Sequence, residues 1–97
     1  MTYNDVMATQ GVALVEFYAS WCPHCRRMMP IVEQVKELLA DRAAVVQYDI
    51  DECEAEADAA GVNVVPTFIV VKDGKEMWRK SGEVAADDLM SAVEKYL

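Results

Sequence analysis

The chain has 97 residues, a formal net charge of −8 at pH 7 and a hydrophobic fraction of 54%. This length predicts a single domain over residues 1–97 that can bury an adequate core without metals or cross-links. The acidic charge argues against nucleic acid or an anionic membrane as a partner, and charges interrupt every apolar segment, so no transmembrane span is expected.

A short helix is predicted over Thr2–Gln10, capped by Thr2 or Asn4 and ended by Gly11. Met1–Asp5 has no basic n-region and no apolar h-region, so the sequence as given carries no signal peptide. We therefore expect a cytoplasmic protein, with the reservation that an export signal could have been removed from the sequence.

The next element is a strand over Val12–Ala19, with apolar residues on both faces as in a central strand covered by helices. Glu16 interrupts this pattern and leaves two alternatives. Its carboxylate either points to solvent near the strand end or is buried behind the cysteines that follow. Burial would raise the pKa of Glu16 and suit it to accept a proton from Cys25.

Cys22 and Cys25 lie where this strand gives way to a helix predicted over Pro23–Ala40, which Pro30 should kink. Residues three apart share a helix face, so the two thiols are close enough for a disulfide. At or next to the N-cap, a Cys22 thiolate gains free backbone N–H groups and the positive end of the helix dipole. Both lower its pKa, so the pattern predicts a redox-active dithiol that needs no other cofactor.

Other uses of these cysteines are weaker. A structural zinc site needs four ligands, and the chain offers only Cys22, Cys25, Cys53 and the single His24, so no metal is expected. A c-type haem site needs histidine after the second cysteine, where Arg26 stands. A static disulfide stays possible, but closing so short a loop removes little entropy from the unfolded chain.

The rest of the chain alternates strands and helices, and the strand–helix–strand spacing predicts a right-handed parallel unit. Cys53 falls in a short acidic helix, either as a small, partly buried hydrophobe or as a regulatory or dimer-forming thiol. The remaining predicted elements are a strand over Ala44–Ile50, that helix over Glu52–Ala60, a hairpin of Phe68–Lys72 and Lys75–Ser81 joined by Asp73-Gly74, and an amphipathic helix over Val84–Leu97.

Taken together, these motifs resemble the thioredoxin family over nearly the whole chain. One Cys-x-x-Cys is a moderate signal, and the ordered set is a strong one. The matching residues are Val15–Ala19 with Glu16, Trp21 directly before Cys22, Cys25, Pro30, Asp49-Ile50-Asp51, Gly61-Val62, Val65-Pro66-Thr67, Asp73-Gly74 and Gly82.

The resemblance implies an α/β thioredoxin fold, with a four-stranded mixed sheet in the order 2-1-3-4 and helices on both faces. The extra N-terminal strand of longer thioredoxins is missing from this pattern. The resemblance also implies a cis Val65–Pro66 bond that places the Val65 backbone beside the cysteines. From the residues alone, Pro66 could equally be an ordinary proline at the start of a strand.

In function, the resemblance implies a monomeric thiol–disulfide oxidoreductase, active in electron transport and cell redox homeostasis. It would reduce protein disulfides and receive electrons from a thioredoxin reductase-like donor. Cys22 would attack the substrate, Cys25 would resolve the mixed disulfide, and Glu16 would help to deprotonate Cys25. The substrate would dock on a rim, which we call the docking rim, formed by Trp21, Val64, Val65, Pro66 and Gly82.

Three positions depart from the family pattern. Pro23-His24 replaces the usual Gly-Pro and matches DsbA-type oxidants, Glu16 replaces aspartate, and Gln47 replaces a lysine that commonly partners the acid. An imidazole beside Cys22 would stabilise the thiolate, and thus make the couple more oxidising than typical thioredoxin. The alternative is a solvated His24 with no effect.

Two competing functions follow. Pro23-His24 favours a thiol oxidase or disulfide isomerase, although the chain lacks the inserted helical domain of larger DsbA-type oxidants. A non-catalytic binding module built on the same fold is the second alternative, and the intact Cys22, Cys25 and Pro66 argue against it.

Overall fold

The computed structural model describes residues 1–97 and contains a four-stranded sheet in the order β2-β1-β3-β4. β1 and β2 are parallel, whereas β1–β3 and β3–β4 are antiparallel, so the predicted mixed sheet and its strand order are confirmed. The elements are α1 (Tyr3–Ala8), β1 (Val12–Tyr18), α2 (Pro23–Leu39), β2 (Ala44–Asp49), α3 (Glu54–Ala60), β3 (Thr67–Lys72), β4 (Lys75–Ser81) and α4 (Ala86–Glu94).

Helices cover both faces of the sheet, and each face has its own apolar core. Successive residues of β1 point to opposite faces, so Leu14 packs under α2 and α4 while Val15 packs under α1 and α3. In β3, Phe68 and Ile69 divide in the same way. The central strands are therefore buried on both sides, as their unbroken apolar sequences predict.

The helix ends follow local chemistry. Thr2 caps α1 in a capping box with Asp5, as one of the two predicted caps, and Gly61 ends α3 in the left-handed conformation. α3 and α4 begin two residues later than predicted because Cys53 and Ala85 are N-caps with non-helical backbone angles. No helix is long and apolar enough to cross a bilayer.

The predicted hairpin is present, and its turn is hydrogen-bonded to a residue outside the hairpin. Asp73 and Gly74 both have positive φ angles, of 48° and 81°. The Asp73 carboxylate accepts a hydrogen bond from the Gly11 backbone N–H at 2.7 Å, which ties the turn to the start of β1. This turn lies at the end of the sheet opposite the cysteines, because β1 runs away from it towards Cys22.

Candidate active site

Cys22 is the N-cap of α2, as the sequence predicts, with Pro23 in the first turn. Its backbone is extended, and its carbonyl accepts the first helical hydrogen bond, from the Arg26 N–H at 3.0 Å. The Cys22 thiol faces the Val65 carbonyl, with 4.0 Å between sulfur and oxygen. Cys22 is only 5% exposed.

Cys25 lies deeper in the same cluster and is only 1% exposed. Its sulfur accepts a hydrogen bond from the Ala19 backbone N–H at 3.5 Å. Both cysteines are free thiols in this structure, and Tyr18, Ile50 and Val65 pack around them. Cys22 is thus slightly more accessible than Cys25, although both cysteines are buried.

The pKa values of the two thiols are shifted in opposite directions. The backbone N–H of Cys25 lowers the pKa of Cys22 most, and the Cys25 thiol, the His24 backbone N–H and the Arg27 charge lower it further. Burial raises the pKa of Cys25 to about 11, and the Cys22 thiolate and the Glu16 charge also disfavour its ionisation. The site therefore favours one thiolate and one thiol, with the negative charge on Cys22.

Glu16 is buried, which decides between the two alternatives that the sequence left open. It is 2% exposed, and its partner on β2 is Gln47, whose side-chain amide donates to the carboxylate at 2.9 Å. Burial raises the pKa of Glu16, and the hydrogen bond from Gln47 offsets part of this rise. A neutral amide thus stands where the family commonly places a lysine.

The His24 ring does not bond to Cys22. Its Nδ1 lies 2.8 Å from a carboxylate oxygen of Glu83 and 2.9 Å from the guanidinium of Arg27. One ring nitrogen cannot donate to Glu83 and accept from Arg27 at once, so the tautomer decides between these contacts. The imidazole is therefore engaged by Glu83 and Arg27, and its predicted tuning of the couple stays a prediction.

Of the residues of the docking rim, Val65 packs against the cluster of Cys22 and Cys25, and the Val65–Pro66 bond is cis. Gly82 donates its backbone N–H to the Pro66 carbonyl at 2.8 Å, which joins the loop after β4 to this segment. Trp21 and Val64 are more than half exposed, whereas Pro66 is buried beneath them. Their role in substrate binding stays a prediction.

Four functional candidates were missed from the sequence as site residues: Arg27, Gln47, Asp51 and Glu83. Asp51 accepts a hydrogen bond from the Trp21 indole N–H at 2.8 Å and so fixes the ring beside Cys22. The available signals were positional, since Arg27 lies one turn beyond His24 and Glu83 directly follows Gly82. Cys53 is partly buried in the core under α1 and α3 and is not part of the cluster around Cys22.

Comparison with known proteins agrees with this geometry. The family model described as Thioredoxin matches residues 1–95. The chain is 40% identical over 97 residues to chloroplastic thioredoxin Y2 of Arabidopsis thaliana, covering 99% of this chain and 58% of that protein. It is 33% identical over 89 residues to the thioredoxin of Bacillus subtilis, covering 92% of this chain and 86% of the relative.

The same fold is present in solved structures. A point mutant of the thioredoxin from Halobacterium salinarum superposes with a TM-score of 0.84 and 38% identity, covering 95% of this chain and 80% of that one. The chain spans little more than half the length of the chloroplastic relatives, 50% for thioredoxin Y of rice and 58% for Y2 of Arabidopsis.

Proposed function

Because the chain belongs to the thioredoxin family, a family of thiol–disulfide oxidoreductases, we propose that it reduces protein disulfides through the Cys22–Cys25 couple. The observation that carries this proposal concerns two thiols one helical turn apart. The pKa of Cys22 is lowered, and the pKa of Cys25 is raised. The Cys22 thiolate can attack a substrate disulfide, and the buried Cys25 thiol can then resolve the mixed disulfide.

In the first step, the Cys22 thiolate attacks one sulfur of a substrate disulfide. A new disulfide forms between Cys22 and the substrate, and the other substrate sulfur leaves as a thiolate and takes a proton from solvent. The backbone N–H groups at the start of α2 stabilise the attacking thiolate before it reacts.

In the second step, Cys25 loses its proton and attacks the Cys22 sulfur. The Cys22–Cys25 disulfide forms, the mixed disulfide breaks, and the substrate leaves with two electrons and two protons gained in total. Glu16 is the nearby base that we assign to this proton, directly or through a water molecule. Its raised pKa makes it a better proton acceptor than an exposed carboxylate.

The docking rim supports an extended protein segment as the substrate. Trp21, directly before Cys22 in the chain, and Val64, directly before Val65, present exposed apolar surface, and Trp21 is held by Asp51. The Val65 carbonyl, which faces the Cys22 sulfur, is placed to accept a hydrogen bond from the substrate backbone.

We further propose that the couple is more oxidising than that of typical thioredoxin. A stabilised Cys22 thiolate stabilises the reduced protein, which raises the reduction potential. The Pro23-His24 dipeptide and the positive charge of Arg27 support this direction. The remaining proposals are a monomeric state, a cytoplasmic location and a thioredoxin reductase-like electron donor.

A second candidate function is the reverse reaction, oxidation or isomerisation of substrate thiols. The same stabilised thiolate favours it, because Cys22 is then a good leaving group when a substrate thiolate attacks the disulfide.

Substrate trapping tests the proposal, with insulin as the disulfide probe and Cys53→Ala as the background so that only two thiols remain. Cys25→Ser should accumulate a mixed disulfide with insulin through Cys22, whereas Cys22→Ser should trap nothing and lose reductase activity. Full insulin reduction by Cys22→Ser would contradict the proposal. Binding to cellular partners that persists in the double Cys→Ser variant would favour a binding module.

A further inference from the structure

A cluster of three charged or titratable side chains lies beside Cys22. One carboxylate oxygen of Glu83 lies 3.1 Å from Arg27 Nε, 3.0 Å from an Arg27 terminal nitrogen and 2.8 Å from His24 Nδ1. Arg27 and His24 come from the first two turns of α2, and Glu83 comes from the loop after β4. The cluster therefore bridges the helix that carries both cysteines and the loop that carries Gly82.

The backbone around Glu83 is fixed on both sides. The preceding residue, Gly82, donates its N–H to the Pro66 carbonyl at 2.8 Å. The following residue, Val84, is buried, and its N–H lies 3.4 Å from the sulfur of Met28 in α2. The backbone of Glu83 is thus held against α2 by its two neighbours in the chain.

The cation of this cluster acts on the nucleophile. The guanidinium of Arg27 lowers the pKa of Cys22, and the Cys22 thiolate in turn contributes to the raised pKa of Arg27. The carboxylate of Glu83 carries the opposite charge at 3.0 Å from that guanidinium, so wherever both charges act their fields oppose each other.

We propose that Arg27 and Glu83 form an opposed pair of charges that sets the stability of the Cys22 thiolate and thereby the redox poise of the Cys22–Cys25 couple. Arg27 stabilises the thiolate, and Glu83 weakens that stabilisation. The inference rests on the proposed function, because it assigns the tuning of the same couple. Both are positioning residues, since they act through Cys22 and not on the substrate.

The alternative is a structural clamp, in which the ion pair only holds the loop after β4 against α2. Two substitutions separate these roles, because Arg27→Met and Glu83→Gln both break the ion pair but remove charges of opposite sign. A structural clamp predicts that the pKa of Cys22 shifts in the same direction in both variants. An opposed charge pair predicts shifts in opposite directions.

The test measures the pH dependence of iodoacetamide alkylation at Cys22 and the equilibrium of the couple with glutathione, in full-length protein carrying Cys53→Ala. Arg27→Met should raise the pKa of Cys22 and make the protein a weaker oxidant, and Glu83→Gln should do the reverse. The side chains are 56% and 40% exposed, so solvent screening limits each effect. We expect each variant to change the equilibrium constant with glutathione about two- to fivefold. This change corresponds to about 9–20 mV in reduction potential, at 29.6 mV per tenfold.

Arg26→Met is the matched control. It removes the same charge from the adjacent residue, whose side chain bonds to the backbone carbonyls of Ser20 and Trp21 and to no carboxylate. It should shift both readouts less than Arg27→Met. The double variant Arg27→Met/Glu83→Gln should return towards the parent protein, because the two charges cancel.

Shifts in the same direction, or no shift in either variant, would overturn the inference. Such a result leaves the proposed function intact if the parent protein still traps insulin through Cys22. Failure of the parent protein to trap insulin would instead contradict the proposed function itself.

Discussion

The two ends of the sheet use polar groups in different ways. At the far end, the Asp73 carboxylate accepts a hydrogen bond from the Gly11 N–H, so a polar side chain stabilises the backbone there. At the cysteine end, burial raises the pKa of Glu16 and of Cys25. The far end is arranged for stability, whereas the cysteine end holds ionisable groups in states that water would not favour.

A substitution at the far end should therefore change the stability of the protein and leave the redox couple unchanged, whereas a substitution at the cysteine end should change the redox chemistry. The far end also contains a cleft between the start of β1 and the loop before β2, lined partly by Met1, Val6, Gly11 and Arg42. The four predictions that follow use the two ends to separate stability from redox chemistry, from the largest expected effect to the smallest.

Loss of the nucleophile should have the largest effect. Cys22→Ser removes the thiol whose pKa is lowered, so insulin reduction should fall by about 10³-fold or more. The thermal midpoint of the reduced protein should change little. Cys53→Ser is the control, because this thiol lies outside the cluster around Cys22, and it should keep its activity. Equal losses from both variants would contradict the assignment of the nucleophile.

At the far end, Gly74→Ala should reduce stability without changing the redox couple. A Cβ atom at Gly74 would lie 2.5 Å from the Met7 backbone oxygen, at a φ angle of 81°. We expect a loss of about 2–4 kcal/mol in the free energy of unfolding, measured with urea. Gly11→Ala has φ of 91° but no neighbour within 4 Å, so it should cost less. A changed reduction potential in Gly74→Ala would break the separation of the two ends.

Glu16→Gln should stabilise the protein and slow the second step. Since burial raises the pKa of Glu16, the folded state favours the protonated carboxyl, and stability is lost as pH rises from the unfolded pKa through the folded one. At pH 7 the variant should gain about 1–3 kcal/mol in unfolding free energy, the usual scale for burying an imperfectly paired polar group. Insulin reduction should fall by about tenfold or more because the base is missing.

The gain in stability has a defined pH window. Below the ordinary glutamate pKa of 4.5, the parent protein and the Glu16→Gln variant both carry a neutral side chain at position 16. Their free energies of unfolding should then be alike. Urea titrations at pH 3.5 and pH 7 measure this difference. A gain that is equal at both values would show that the charge of Glu16 is not its source.

His24→Gly should have the smallest effect, a more reducing couple. Removing the imidazole leaves Glu83 paired with Arg27 alone, so its negative charge is less compensated near Cys22. We expect the equilibrium constant with glutathione to change about two- to fivefold, which corresponds to about 9–20 mV in reduction potential. An unchanged potential would mean that the exposed His24 ring is only solvated.

Much of the fold could be predicted because local patterns agree with it. The apolar residues on both faces of β1, the Asp73-Gly74 turn and the helix that begins at Cys22 each specify their own element. The strand order and the cis bond before Pro66 followed from the resemblance to the family, since neither is a local property.

The site was only partly predictable because its electrostatics depends on contacts that are distant in sequence. Glu16 is buried by the folded chain, and the side chain that bonds to it, Gln47, is 31 residues away on β2. Arg27 and Glu83 are 56 residues apart and meet only because the loop after β4 packs on α2. The sequence identified His24 as a tuning residue but gave no sign of the carboxylate that its ring contacts.

The reduction potential of the Cys22–Cys25 couple, measured against glutathione buffers, tests the central claim most directly. Typical thioredoxin has a value of about −270 mV, and protein disulfide isomerase and DsbA lie at about −180 and −120 mV. We predict a value more positive than about −240 mV, because the thiolate of Cys22 is stabilised at the start of α2. A value of about −270 mV or below would contradict the proposed oxidising poise and leave an ordinary reductase.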